Sequence, residues 1–242
     1  MRVALISDIH GNVAALDAVL TELDGESFDE IVCLGDVVAG PCAAEALRCI
    51  RDLGCSVIMG NWDAWSVDGM PEAGDWVEER LYEIGAFWAQ QLTEDDGAFV
   101  RSFLPTLEIA LDERTSLLCF HGSPTSFDDW IVATTPDEEV ARMLDGAGAP
   151  LLAGGHTHMQ MVRHHDAALI LNPGSVGQPF VTWSRETVRV AAAAEYAIVA
   201  SDDGRLSCDL RRTSFDVDAH VRAGIESGMP HADWWAASWP RG

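Results

Sequence analysis

Asp8-Ile-His10, Gly35-Asp36, Gly60-Asn61, His121-Gly122 and Gly155-His156-Thr-His158 gather carboxylates, an amide oxygen and imidazoles into five short clusters. These donor types suit borderline divalent cations such as manganese, iron or zinc, and no cysteine joins them. Together they offer enough ligands for two ions. The elements that would position them are strands, because each cluster closes an apolar run. Val3 to Ser7 leads into Asp8, Ile31 to Leu34 into Asp36, Val57 to Met59 into Asn61, Leu117 to Phe120 into His121, and Leu151 to Ala153 into His156. Short β-rich runs ending in Gly predict strands, and in an α/β sheet the carboxyl ends of neighbouring strands open onto one crevice.

Taken singly, these residues have plainer uses. Asp8 can end a strand, and Asn12 can cap a helix carrying Leu16, Val19, Leu20 and Leu23 at helical spacing. Taken together, they would crowd several ionisable groups into one crevice, where unpaired carboxylates are costly and a metal supplies the missing charge.

These clusters, in their order, make the chain resemble over most of its length the calcineurin-like metallophosphoesterase family, whose ordered motifs are D-x-H, G-D, G-N-H-[DE], a lone H and G-H-x-H. That resemblance implies an α/β fold of mixed sheets, a four-layer αββα sandwich. It implies that Asp8, His10, Asp36 and His158 hold one ion, and that Asp36, Asn61, His121 and His156 hold the other. Asp36 would bridge them, each of its oxygens facing one cation while its charge reduces their repulsion. Two such ions, about 3.5 to 4 Å apart, can clamp an in-line displacement at phosphorus by a metal-bound hydroxide. The resemblance thus places Asp36, Asn61 and His121 at a catalytic centre.

One motif departs from the family. Gly60-Asn61-Trp62-Asp63 puts Trp62 where histidine is usual. The amide ligand is kept, but the group that family members are thought to use to protonate the leaving oxygen is gone, a role typically contributing about 10² to 10⁴ in rate. Either leaving groups need no protonation, or a donor comes from elsewhere, or catalysis is lost while metal binding stays. The first is favoured, since aryl phosphates and phosphoanhydride-linked nucleotides depart as stabilised anions. Trp62 either stacks on an aromatic or base moiety or packs beneath the segment that follows. Asn12, Trp62 and Trp65 are the candidates for the substrate rim.

The 242 residues are 48% apolar, consistent with one domain spanning 1–242. No apolar run reaches the length of a membrane helix, and Met1-Arg2 enters the first strand directly, so a cytoplasmic location is expected. The six cysteines form no C-x-x-C motif, and reduced thiols are the expectation. The formal charge is −24, and all 15 basic residues are arginine. A nucleic acid would meet net repulsion, so small phosphorylated substrates fit better and phosphate attraction would be local to the metals.

Between Asn61 and His121 lies a helical, cap-like insertion at about 62–105. Asp75 with Glu78 predicts one helix, with Val77, Leu81, Ile84 and Trp88 on one face, and Thr93 with Asp96 predicts a second that Pro105 ends. Trp76 and Trp88 are expected inside the small core of that helix pair. Thr135-Pro136-Asp137-Glu138 starts another helix, and Leu169 to Leu171, Glu195 to Ala200 and Arg205 to Arg211 read as strands, the last two joined at Asp203-Gly204. The turn Asn172 to Pro179 is either structural or a contributor to the site. His164, His165, His220 and His231 match no ligand position and are read as surface or packing residues. A helical tail at about 214–242, capped by Asp216, carries Trp234, Trp235 and Trp239, which either cover the domain's own apolar surface or make a homodimer contact. The leading reading is hydrolysis of a small phosphodiester, phosphomonoester or nucleotide; the alternative is a noncatalytic metal-binding scaffold of the same fold.

Overall fold

A computed structural model describes residues 1–183 and 188–240. In chain order it runs β1 (Arg2–Ile6), α1 (Val13–Asp24), β2 (Glu30–Cys33), α2 (Ala43–Leu53), β3 (Ser56–Val57), α3 (Asn61–Asp68), α4 (Trp76–Ala89) and α5 (Glu94–Val100). There follow β4 (Leu107–Ala110), β5 (Ser116–Cys119), α6 (Asp137–Met143), β6 (Leu151–Ala153), β7 (Met161–His165) and β8 (Ala168–Asn172). A ribbon of β9 (Phe180–Trp183) and β10 (Val188–Val190), the hairpin β11 (Ala194–Asp202) and β12 (Arg205–Thr213), and the helices α7 (Val217–Glu226) and α8 (Ala232–Ala236) complete the chain.

Among the described residues the strands form two five-stranded mixed sheets, ordered β12-β11-β1-β2-β3 and β4-β5-β6-β8-β7. Alternation along each strand decides the layers. On β1, Val3 and Leu5 enter the core shared by the two sheets, with Leu117 and Leu151 opposite, whereas Ala4 and Ile6 face the outer helices α1 and α2. Leu152 and Ile170 likewise point away from the shared core, toward Val140 and Leu144 at α6. Helix, sheet, sheet, helix is therefore the layer order, as the resemblance implied. The outer helices show why they lie there: α1 buries Ala15, Leu16, Val19 and Leu23, and α2 buries Ala43, Ala46, Leu47 and Ile50, each a helical stripe.

The parallel strands of both sheets end at one edge. β1, β2 and β3 run parallel and deliver Asp8, Asp36 and Asn61; β5, β6 and β8 run parallel and deliver His121, His156, His158 and Asn172. The interval after Asn61 holds three helices where two were expected. The extra one, α3, begins at Asn61 itself, because Asp63 in its first turn accepts the Gly60 N–H (3.2 Å). All six cysteines are free thiols. No helix among the described residues is long and apolar enough to cross a membrane.

Candidate metal centre

Asp8, His10 and His158 present donor atoms within 4.8 Å of one another, and so do Asp36, His121 and His156. Each carboxylate has one oxygen anchored and one free. Asp8 Oδ2 accepts the His156 N–H (3.1 Å), leaving Oδ1 3.3 Å from His158 Nε2 with no hydrogen bond. Asp36 Oδ1 accepts the Trp62 N–H (2.9 Å), leaving Oδ2 3.6 Å from His10 Nε2 and 3.4 Å from His121 Nε2. Asn61 Oδ1 stands 3.0 Å from His121 Nε2. All seven residues expected at the centre therefore meet, with one change of detail. A single oxygen of Asp36, rather than both, faces the two groups.

A cation fits this arrangement on the evidence of its orphaned atoms. His121 Nδ1–H donates to Leu34 O and His158 Nδ1–H donates to Gln178 O, each at 2.7 Å. Since a carbonyl only accepts, both imidazoles turn Nε2 inward, where neutral rings offer lone pairs. Those lone pairs face other acceptors: Asn61 Oδ1, Asp36 Oδ2, and His10 Nε2 at 3.1 Å from His158 Nε2. His156 Nε2 is buried without a hydrogen bond. Burial opposes ionisation of Asp8 and Asp36, yet His158 and His121 hold them below the usual carboxylate range. Burial pushes His10 and His156 down to about 4, while His121, despite its burial, is raised to about 10, chiefly by Asp36. Two anions surrounded by inward lone pairs call for positive charge, which a metal supplies without protonating an imidazole.

The backbone is bent to make these contacts. Asp8, His10, Asp36, His156 and His158 all have φ between 46° and 66°, a left-handed region costing roughly 1 to 2 kcal/mol for an L-residue. Two glycines let the strand ends close in. A Cβ on Gly60 would strike the Asp36 carboxylate, and one on Gly155 would come 2.8 Å from Asp8 Oδ2.

Residues that were not proposed as ligands hold the loops. Asp63, fully buried, accepts the N–H groups of Asp36 (2.7 Å), Val37 (3.0 Å) and Val38 (3.1 Å) as well as that of Gly60. The turn from Asn172 to Pro179 supports the site directly: Ser175 Oγ donates to Asp8 O (2.7 Å), Asn172 Nδ2 to Gly155 O (2.6 Å), and Gln178 O orients His158. Asn12 is corrected from rim to support. It is fully buried, caps α1 through Ala15 N–H (3.1 Å) and donates to Gly177 O (2.9 Å).

Above the centre lies a cavity of about 350 Å³, floored by His10, Asp36, His156 and His158. Trp62 lines it while packing edge-on against Trp65 and Tyr82, and a Cβ on Gly85 of α4 would touch its ring at 2.6 Å. It is thus both packed and presented. Trp65, expected at the rim, packs at the side of Trp62 and is not among the residues that line the cavity. Trp76, expected in the helical core, is 56% exposed and lies against the cavity; Trp88 is in the core. The tail tryptophans cover the domain itself: Trp235 and Trp239 are buried, and Trp234 and Trp235 also wall the cavity. Of the other histidines, His220 is buried between Trp235 and Trp239, and His231 pairs with Glu83.

A two-sheet sandwich with two donor groups at its converging strand ends is a metal-dependent phosphoesterase fold. The chain belongs to the calcineurin-like phosphoesterase superfamily, whose domain model matches residues 1–202. It is 27% identical to the uncharacterized protein MJ0912 of Methanocaldococcus jannaschii over 94% of this chain and 93% of that one. Among solved structures, it is similar to a metallophosphoesterase from Sphaerobacter thermophilus (TM-score 0.74, 25% identity, 98% of each chain). It also resembles the hypothetical protein PH1004 from Pyrococcus horikoshii OT3 in fold (TM-score 0.76, 20% identity, 95% of this chain and 94% of that one).

Proposed function

We propose that this protein is a dinuclear metal-dependent phosphoesterase acting on a small phosphate ester. The observation that carries this reading is Asp36 Oδ2, lying within 3.6 Å of His10 and 3.4 Å of His121, one imidazole from each donor group. A carboxylate oxygen so placed suits a bridge. Asp8, His10 and His158 would complete one site, and Asn61, His121 and His156 the other. Cations bound there supply Lewis-acid charge for a phosphoryl oxygen and lower the pKa of a water.

The chain's own contribution is orientation and exclusion. Leu34 O and Gln178 O fix the His121 and His158 tautomers, Asp63 holds the Asp36 loop, and the walls above restrict water. Trp62 can donate no titrating proton, so leaving groups that depart as stabilised anions are favoured. The test is turnover of bis(4-nitrophenyl) phosphate by protein stripped of metal and reloaded with manganese. Activity should require the metal and fall at least about a hundredfold in Asp36→Asn. No metal-dependent turnover, and none lost in Asp36→Asn, would defeat this reading in favour of a scaffold.

A further inference from the structure

Three segments remote in sequence enclose the cavity over the metal centre. Val77, Leu81 and Ile84 of α4 form one wall, the ribbon residues Phe180, Val188 and Val190 another, and the tail a third through Trp234 and Trp235. The enclosure is fastened rather than fortuitous. Val190 N–H donates to Ser238 O (3.0 Å), joining ribbon to tail, and His231 Nε2 lies 2.6 Å from Glu83, joining tail to α4. Trp235 is seated on Gly224, where a Cβ would collide with its ring.

The chemistry of these walls is one-sided. Apart from the four floor residues, Gln178 and Ser238 are the hydrogen-bonding side chains, leaving aside the indole N–H groups, and no arginine lines the cavity among the described residues. Arg80 comes near, but its guanidinium is held over the rings of Trp76 (4.9 Å) and Trp234 (5.6 Å). Among the described residues a second phosphate would therefore find no free countercharge lining the cavity, in a chain of formal charge −24. An apolar body would find aromatic and aliphatic walls in a volume typical of small-ligand pockets.

From this juxtaposition we propose that the chamber binds the organic portion of the substrate, and that the substrate is a single phosphate esterified to an apolar, ring-sized group rather than a nucleoside polyphosphate or a glycerol phosphate. The phosphate would rest on the floor and the apolar group between α4, the ribbon and α8. This assignment rests on the phosphoesterase reading for the role of the floor, but the walls make a separate demand.

A series of non-hydrolysable phosphonates separates the two. With manganese-loaded protein, Ki values for methyl-, butyl-, hexyl- and benzylphosphonate should fall about two- to fourfold per buried methylene until the chamber is full. A carboxylate at the far end of the hexyl chain should weaken inhibition at least tenfold. Trp76→Ala, at an exposed position, and Leu81→Asn should each flatten the dependence on chain length. Quenching of tryptophan fluorescence by the same compounds reports binding without catalysis. If fluorescence shows the length dependence but no metal-dependent turnover exists, the phosphoesterase reading fails and the chamber assignment stands. If turnover is present and Ki is indifferent to chain length or to the terminal carboxylate, the chamber assignment is overturned.

Discussion

Trp62 shows how one residue can keep a site's geometry while altering its chemistry. Its backbone N–H anchors Asp36 Oδ1, a service any residue but proline could perform, whereas its indole fills space where the related family motif carries histidine. The ring is held by Gly85 behind and by Trp65 and Tyr82 at its side. Trp62→His should therefore raise turnover of an alkyl phosphodiester relative to an aryl ester, by up to about a hundredfold if the new imidazole reaches the leaving oxygen. Steady-state kinetics on matched alkyl and aryl esters measure that ratio, and a ratio unchanged from wild type would sink the missing-acid explanation.

The tail helices make a separate prediction at the scale of elements. His220 lies on the buried face of α7 against Trp235 and Trp239, its Nε2 without a hydrogen bond, and burial lowers its pKa from 6.5 to about 3. The unfolded chain thus binds a proton that the folded chain refuses between those values. Stability must fall as pH drops below about 6.5, by up to about 1.4 kcal/mol per pH unit, and level off near 3. His220→Phe should flatten that acid limb in chemical denaturation between pH 4 and 6.5; an unaltered slope would show that the tail does not couple to protonation here.

What was legible in the sequence divides along the same line between local and remote. Apolar runs closed by Asp, Asn or His disclosed the strand ends, because a strand's pattern and its terminating residue are adjacent in the chain. The stripe of Val77, Leu81 and Ile84 was legible as an apolar helix face, yet it partly walls a cavity, and nothing in its spacing distinguishes a wall from a core. Trp76 was misplaced for that reason. Asn12 was correctly read as a cap, and its burial under Gly177, 165 positions away, excluded the rim role. The start of α3 escaped notice because Asp63 acts mainly on the Asp36 loop, a contact between distant segments.

For the molecule as a whole, metal and fold are thermodynamically linked. A ligand that binds only the folded chain at a hundredfold excess over Kd adds about 2.7 kcal/mol, which for a chain of 242 residues corresponds to a rise in Tm of roughly 5 to 10 °C. Differential scanning calorimetry with and without manganese should show a rise of that order, largely lost in Asp36→Asn; identical melting curves would mean that no metal joins the folded state. The five left-handed residues at the strand ends give this linkage an evolutionary side. Glycine at any of them would ease the backbone while deleting a ligand, so every such replacement is a step toward a more relaxed fold and away from chemistry. A lineage that no longer needed a metal here would be expected to shed these side chains early and keep the sandwich.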